Sequence, residues 1–495
     1  MTPGLATLKR GSIQIQKAAT KIVNEQIGSQ QVLVVFVITG FVLCGIVEQS
    51  ASVALRANIT SRITAEEFAE YVENTSYITR YCQDPDERNI TKIHVVRSIP
   101  HIEIPMTRTD ETESVLREAF MWGTLASPLA ASRIAARVGA ERLYGVGVLG
   151  AGALAVMVPA AWLTPYHVAV RIAQGMFMGA AWPGAHVLAV TWFKPKRISA
   201  FVSTYTAVNL GYAVVGIVGT PLVKYLGRDC LSYFIAMIAA IWYFLWWRFV
   251  EESLHPNRPI RDEHKTLPWR RLLMSKPAWA CGIAVVGSQW ADATLMLGVT
   301  KYLKLVYGFS IELDDVLASL PHIGHFFAAL TFGIVVDHVR ESGLLSTTSC
   351  RKLFVYISHF LPAACMFVLG YTGCDPAAPA ALYTAALALT GATPAGAYAS
   401  AADIAPNFAG TVFGLCQTIG AAGLLAANYA VSEGLHGSIA GWWRLLFGIS
   451  STVLLITATV FMGIGSGSVQ DWNAPGDIPP ELEEEEEPRF ESVLE

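Results

Sequence analysis

Long apolar runs fill most of this 495-residue chain, and no other feature restricts its fold so strongly. The first run covers residues 31–55 and the last covers 441–463. Hydrophobic residues make up 53% of the sequence and charged residues 15%, which is too little charge to cover the surface of a soluble domain. A bilayer solvates such runs, and each helical crossing needs about 20 apolar residues. Because lipid offers no partners to backbone N–H and C=O groups, the crossings must be helices.

We therefore predict an all-α membrane protein with twelve transmembrane helices in two six-helix halves. Strands of a membrane barrel alternate over about 10 residues, whereas these runs are longer and apolar throughout. A charged, proline-containing linker at 251–277 follows the sixth run, so the halves cover 32–250 and 278–463. The predicted spans are 32–55, 114–134, 143–163, 167–192, 199–222, 228–250, 278–300, 312–336, 352–371, 377–400, 407–431 and 440–463.

Charge asymmetry orients the predicted bundle. The joints after the second, fourth and eighth spans are basic, whereas those at 164–166, 372–376 and 432–439 contain no Lys or Arg. Because cytosolic loops carry an excess of Lys and Arg, both termini and the basic joints are predicted to be cytosolic. The basic residues in these joints are Arg133, Arg137, Arg142, Lys194, Lys196, Arg197, Arg340, Arg351 and Lys352.

Three polar segments complete the predicted organisation. Residues 1–31 form a cytosolic N-terminal segment, and 464–495 form an acidic tail that has too little apolar area to fold and is expected to be disordered. The long segment 57–113 lies on the outer side. It contains the acceptor sequons at Asn74 and Asn89, so we expect a glycoprotein.

Three motifs resemble those of a known family. One belongs to the fourth span, a second covers 403–410 and a third 465–472. Together they resemble the anion:cation symporter family of the major facilitator superfamily, which contains sialic-acid, vesicular glutamate and sodium–phosphate-type transporters. The resemblance implies the twelve-helix facilitator fold and alternating access for an organic or inorganic anion. The motif residues of the fourth span and the joint after it are Arg171, Gln174, Gly175, Pro183, Gly184, His186, Trp192 and Pro195.

The chain also departs from the family pattern, and we interpret it as a divergent member. Glu48 stands where the first helix usually has an arginine, and Met178 where proton-coupled members have an acid. Ala131 and Ser132 replace the paired glycines of the second helix. Asp292 occupies a position in the seventh helix where an aromatic residue is common. These differences bear on the substrate and the coupling ion and leave the predicted fold unchanged.

Charged residues inside predicted spans are the first candidates for function, since an unpaired charge in hydrocarbon is costly. Glu48 is expected to take a proton, to bind a cationic group, or to form a structural pair with Arg117. Arg117 either contacts an anion in a cavity, for which its planar fork is suited, or extends to the headgroups. Arg171 has the same two alternatives, and the resemblance implies the anion site.

The remaining candidates are a histidine in the fourth span and a group in the second half. His186 follows Arg171 by fifteen residues, about 22 Å along the helix, and either hydrogen-bonds or packs. Trp290 and Asp292 lie in the seventh span, which corresponds to the first in the repeat. If Asp292 lies close to Glu48, the two acids form a proton site; if they lie apart, they receive a cation.

Two further sets complete the candidates. His322 and His325 lie three residues apart in the eighth span, where gating or packing is expected because a metal site needs more ligands. The cytosolic gating charges are expected in two corresponding joints, where they stabilise an outward-open state. These gating residues are Arg137, Arg142, Asp337 and Arg340.

The expected function is therefore secondary active transport of small organic or inorganic anions. No nucleophile elbow, phosphate-binding loop, metal-ligand set or basic face occurs, so we expect no enzyme activity, no cofactor and no nucleic-acid partner. The expected partners are a small anionic substrate and the lipid bilayer of the plasma membrane or of an endolysosomal or vesicular membrane. A proton or sodium ion could couple transport in a monomer. The alternatives are a facilitator for a cationic or zwitterionic molecule and a transport-inactive receptor or scaffold.

Overall fold

The computed structural model describes residues 28–54, 105–161, 165–251, 267–299, 301–303, 311–372, 377–433 and 439–473. Within these ranges the secondary structure is helical and contains no strand. Nine helices there are long and apolar enough to cross a membrane. Three further helical segments, at 105–138, 165–192 and 377–404, occupy the other predicted positions. The described chain thus has the twelve spans that the apolar runs predicted. The sequons at Asn74 and Asn89 lie outside the described residues.

The N-terminal half contains six spans, which we number α1 to α6. They are α1 Gly28–Ala54, α2 Pro105–Ala126 with Pro128–Val138, α3 Ala140–Ala161, α4 Pro165–Trp192, α5 Pro195–Gly219 and α6 Asp229–Glu251.

The C-terminal half contains α7 to α12. They are α7 Lys276–Ala293 with Thr294–Val299, α8 Ile311–Glu341, α9 Thr347–Leu369, α10 Ala377–Thr390 with Pro394–Tyr398 and Ala399–Ile404, α11 Ala409–Glu433, and α12 Ile439–Ile464.

Two predicted boundaries are wrong, and a short helix lies inside the predicted linker. Helix α2 begins at Pro105, inside the predicted outer loop, because its polar first turns are helical although no apolar run marks them. The linker 251–277 contains the short helix Trp269–Met274. The tail is ordered as far as Asn473, because the N–H of Gln470 donates to Ile404 O at 2.9 Å and the buried Trp472 packs on Phe408.

Each half is held together by close helix packing, and the halves meet along several helix pairs, among them α4 and α11. Within the first half α4 packs against α2 and α3; within the second α7 packs against α11, and α9 against α10 and α12. Gly175 of α4 contacts the backbone of α2, where a methyl group would overlap with the carbonyl oxygen of Phe120. Between the halves, α5 packs against α8 and α2 against α11.

Helices α2 and α11 approach each other closely beside Ser132 of α2. Gly414 of α11 faces Pro128 and Ser132 of α2, and a Cβ on Gly414 would lie 2.8 Å from the oxygen of Pro128. A side chain at position 414 would therefore require the two halves to shift apart at this contact.

Candidate functional site

A cavity of about 140 Å³ lies between the two halves. Its volume resembles that of a cavity of roughly 150 Å³ that holds benzene, so a small molecule fits. Both halves contribute polar side chains, and Arg117 is the only Lys or Arg among the described residues that line it. The polar and aromatic lining includes Glu48, Gln49, Arg117, Thr124, Trp182, Tyr205, Thr206, Asn209 and Tyr212 from the first half and Gln289, Asp292, His325, Thr390, Thr393, Tyr398 and Gln417 from the second.

Glu48 enters the cavity from α1, and α5 supplies its hydrogen-bond partner. The hydroxyl of Tyr212 donates to Glu48 Oε2 at 2.6 Å. The carboxylate therefore faces the cavity with one neutral donor from its own half. This arrangement leaves it able to bind a proton or a cation.

Arg117 also lines the cavity, but it is paired on its own helix. Its guanidinium forms an ion pair with Glu113 one turn earlier and donates to Ser52 Oγ at 3.2 Å. The direct pair between Glu48 and Arg117, one of the sequence-based alternatives, is therefore not formed in this conformation. Its position in the cavity also differs from the alternative in which the side chain extends to the headgroups.

Arg171 lies behind the cavity wall and is 2% exposed. Its Nη1 donates to Val47 O at 2.9 Å and to Gln174 Oε1 at 3.0 Å, and its Nη2 donates to Glu48 O at 2.7 Å. The guanidinium also lies 4.6 Å from the ring centre of Phe120. In this conformation Arg171 is outside the cavity lining and holds α1 against α4 beside Glu48.

His186 lies at the contact between the halves, outside the cavity lining. Its ring stacks on Phe413 of α11 with 4.1 Å between ring centres, and it is fully buried. Neither ring nitrogen has a hydrogen-bond partner among the described residues. This is the geometry of a packing residue, the second of the two roles expected for it.

The candidates of α7 point in different directions. Asp292 lines the cavity, whereas the indole N–H of Trp290 donates to Ser450 Oγ of α12 at 2.9 Å. The helix changes to π geometry at Thr294–Val299, directly after Asp292. A second π segment, Pro394–Tyr398 of α10, also borders the cavity. Such segments are frequent at functional sites.

The two histidines of α8 have different surroundings. His322 has its Nδ1 3.1 Å from Asn209 Oδ1 of α5 and so connects the halves. His325 lines the cavity, and its Nδ1 donates to Leu387 O at 2.7 Å.

Sequence reasoning missed the neutral polar residues of the cavity. Asn209, Gln289 and Gln417 are amides within apolar spans, and Tyr212 and Tyr398 add hydroxyl groups. The signal was present, because an amide in hydrocarbon is costly unless it has a partner or lines a cavity. The candidates taken from the sequence were charged, histidine and tryptophan residues, so these amides and tyrosines were not among them.

One end of the bundle is closed by a set of contacts that we call the latch, which joins residues 195–200 to the facing ends of α8 and α9. The carboxylate of Asp337 accepts the N–H groups of Ser199 at 3.0 Å and Ala200 at 2.8 Å. Arg351 Nη1 donates to Ser199 Oγ at 2.8 Å, and Arg340 Nη1 donates to Pro195 O at 2.7 Å.

Further charges support the latch. Asp403 forms ion pairs with Arg351 at 2.5 Å and with Arg340 at 3.5 Å, within the C-terminal half. Arg197 and Glu341 form an ion pair between the halves. The predicted gating residues Asp337 and Arg340 thus both belong to the latch.

The other two predicted gating residues lie elsewhere. Arg137 is exposed, and Arg142 lies 3.9 Å from Glu251 of its own half. In this conformation, therefore, these two basic residues do not connect the halves.

At the opposite end, which we call the far end, the halves are joined by weaker contacts. Asn428 Nδ2 of α11 donates to Glu118 Oε1 of α2 at 3.2 Å, and the hydroxyl groups of Ser114 and Ser432 are 3.5 Å apart. The cavity therefore lies between a charged latch and a far end with few polar contacts.

Several known proteins resemble this chain in sequence or in architecture. Human sialin is 25% identical over 73% of this chain and 77% of its own length. Human vesicular glutamate transporter 2 is also 25% identical, over 74% of this chain and 66% of its own length. A solved structure of a proton:xylose symporter has a TM-score of 0.61 at 16% identity and covers 90% of this chain and 98% of that one, which supports the fold.

The family assignment follows from the match to a sequence model. Residues 116–428, which contain most of the cavity and the latch, match the model of the Major Facilitator Superfamily. With the twelve-span fold and the cavity between its halves, the chain belongs to the Major Facilitator Superfamily.

Proposed function

We propose that this protein is a secondary active transporter of small organic or inorganic anions that works by alternating access. The observation that carries the proposal is the polar cavity between two six-helix halves, closed at one end by the latch. Rocking of the halves around such a site would open each end in turn. The protein is proposed to act as a monomer, since one chain supplies both walls of the cavity.

The anionic substrate is supported by the relatives and by Arg117. Two of the relatives are named sialin and vesicular glutamate transporter, and the second name states an anionic amino acid. Arg117 gives the cavity a planar guanidinium, a group that binds carboxylates at two points. A substrate carboxylate would share this guanidinium with Glu113, the partner that holds it now.

The proposed coupling ion is a proton, and Glu48 is its proposed site. The carboxylate lines the cavity with Tyr212 as its neutral partner, while the position of the fourth-helix acid holds Met178. A protonated Glu48 removes one negative charge from the cavity and so favours entry of an anion.

A facilitator for cationic or zwitterionic molecules is the second candidate. It is favoured by the presence of two acids, Glu48 and Asp292, in a lining whose one arginine is already paired. Uptake that depends on a positive charge of the substrate and does not require a carboxylate would support this candidate.

The test is uptake into proteoliposomes that contain the full chain, with pH, sodium, chloride and voltage varied one at a time. We expect accumulation of a radiolabelled organic anion driven by a pH gradient. Arg117→Gln should reduce uptake at least tenfold, whereas Arg270→Gln, an exposed control in the short linker helix, should leave it unchanged. Ligand binding without flux in the wild type would identify a receptor or scaffold instead.

Glu48→Gln separates coupling from substrate binding. If Glu48 carries the proton, the variant loses accumulation driven by pH but retains exchange of substrate across the membrane. If Glu48 binds a cationic group, affinity falls at every pH because the attracting charge is deleted. Normal accumulation in the variant would exclude both roles.

The orientation proposed for the cell follows from the basic joints, with both termini in the cytosol of a plasma-membrane, endolysosomal or vesicular protein. Glycosidase treatment should shift the electrophoretic band of protein made in a eukaryotic cell. The double change Asn74→Gln with Asn89→Gln should abolish the shift. Cleavage of segment 57–113 by a protease confined to the cytosol would contradict this orientation.

A further inference from the structure

We infer that the C-terminal wall of the cavity contains a subsite for a protonated amine, formed by Asp292 with Gln417 and Thr393. The inference rests on the proposed function, because it assigns a second charged group to the transported anion. The substrate class becomes anions that also carry an ammonium group, with a carboxylate toward Arg117 and the amine toward α7.

Asp292 is the acidic residue of the C-terminal wall of the cavity. Its Oδ1 is inaccessible to solvent and has no hydrogen-bond partner among the described residues, although the side chain lines the cavity. Buried carboxylate oxygens in proteins are normally paired, because an isolated charge in a low dielectric is costly. A donor that enters the cavity would satisfy this oxygen.

Gln417 and Thr393 line the cavity together with Asp292. Gln417 is 5% exposed; its Oε1 accepts from Gln289 Nε2 at 3.2 Å, and its side chain also lies beside the hydroxyl of Tyr398. Thr393 is 3% exposed, and its hydroxyl has no hydrogen-bond partner among the described residues. The C-terminal wall thus presents one carboxylate, one amide and one hydroxyl to a ligand.

The charged groups of the opposite, N-terminal wall have partners within their own half. There Glu48 has Tyr212 as a donor, and Arg117 has Glu113 and Ser52 as acceptors. The N-terminal wall therefore satisfies its own charges, whereas Asp292 is left without a donor from the lining. Charge complementarity then assigns the missing positive charge to the ligand.

The lining residues suit an amine better than a metal cation. The described residues contain no group of three His, Cys, Asp or Glu side chains that could hold a metal ion. An ammonium group carries three N–H donors and needs no fixed coordination geometry. Asp292 and the Thr393 hydroxyl can accept such donors, and Gln417 Nε2 can donate to an acceptor on the same substrate.

The experiment uses substrates that differ by one group. Proteoliposomes with the wild-type chain are tested for uptake of glutamate, of glutarate, which lacks the amine, and of n-propylamine, which lacks both carboxylates. Binding of the same three compounds to the detergent-purified protein is measured by thermal shift. The variant is Asp292→Asn, which removes the charge at nearly constant volume, and the control is Asp229→Asn, an exposed acid in the first turn of α6.

We expect the wild type and Asp229→Asn to prefer glutamate over glutarate at least tenfold in apparent affinity. Asp292→Asn should reduce this preference to less than twofold while glutarate uptake persists. A cooperative melting transition of the ligand-free Asp292→Asn protein near that of the wild type verifies that the variant is folded.

Three results would overturn the inference and leave the proposed function intact. They are equal use of glutamate and glutarate by the wild type, a full preference for glutamate in Asp292→Asn, and no response to any of the three compounds while another organic anion is accumulated. A response to n-propylamine alone that Asp292→Asn abolishes would retain the amine subsite and exclude anion transport.

Discussion

The two ends of the bundle join the halves in different ways. At the latch, Asp337 accepts two backbone N–H groups of α5, and Arg340 and Arg351 each donate across the interface. At the far end, the carboxylate of Glu118 accepts from the neutral amide of Asn428. Hydrogen bonds in which a donor or an acceptor is ionised are about twice as strong as neutral ones, and the latch contains several of them. The far end is therefore the less costly end to open from this conformation.

The difference also concerns where each charge is neutralised. In the latch, Asp403 orients Arg351 and Arg340 from within the C-terminal half, and the two arginines then reach the other half. At the far end, the strongest polar contacts lie inside the N-terminal half, where Arg117 pairs with Glu113 and Arg171 holds α1. Charged side chains therefore connect the two halves at the latch, whereas at the far end they hold together helices of the N-terminal half.

The largest expected effect follows from removing the acid that supports the latch. In Asp403→Asn, Arg351 remains fully buried and loses its ion-pair partner, and breaking a buried pair in this way costs about 3–5 kcal/mol in other proteins. We expect a marked fall in the melting temperature of the purified protein. Asp471→Asn, an exposed acid near the same end, should melt like the wild type. A normal melting temperature for Asp403→Asn would show that the ion pairs are dispensable.

A smaller effect is expected when the latch loses a charge between the halves. Asp337→Asn keeps one acceptor and loses the other, and hydrogen bonds to charged groups contribute about 1.5–3 kcal/mol. The conformation open at the latch should become more populated. Labelling of a cysteine placed at Ser203, which is fully buried, should then be several times faster than in the Ser203→Cys parent. Unchanged labelling would mean that other contacts keep this end closed.

At the far end, Arg171→Lys tests whether charges act inside one half. A lysine amine cannot reproduce the fork that contacts Val47 and Glu48, so we expect a loss of about 1–2 kcal/mol in stability. Substrate affinity should change less than threefold, since Arg171 is not in the cavity lining. A large loss of affinity with normal stability would instead restore the anion-binding role that the family resemblance implies.

The apolar runs were sufficient to predict the twelve spans, because hydrocarbon requires long uninterrupted helices. They could not show that α2 begins at Pro105, since its first turns are polar and leave no hydropathy signal. Asp337 and Arg340 were predicted as gating residues from their joint. Their partners were not, because Ser199 is 138 residues from Asp337 and contacts only through the packing of α5 on α8.

The cavity shows a similar limit. Glu48, Arg117 and Asp292 were predicted from their charge and lie in one lining, but the direction of each side chain depends on helix rotation. Arg171 and Trp290 were equally plausible by sequence, and packing directs them to α1 and α12. Residue type therefore identified which spans matter, whereas only the packed helices determine which side chains meet.

The smallest effect is expected at the far end, where Asn428→Ala removes the hydrogen bond between Asn428 and Glu118. Hydrogen bonds to charged groups contribute about 1.5–3 kcal/mol, but Glu118 is partly exposed and water can replace the lost donor, so the melting temperature should change by only a few degrees. Opening of this end should nevertheless become more frequent, because few polar contacts remain there. We expect faster labelling of a cysteine placed at Thr124, a cavity residue on α2, relative to the Thr124→Cys parent. The combination with Asp337→Asn gives the sharpest comparison: if the two ends open in alternation, the second change should offset the first and slow labelling at Thr124. Additive acceleration would show that the ends open independently and would contradict alternating access.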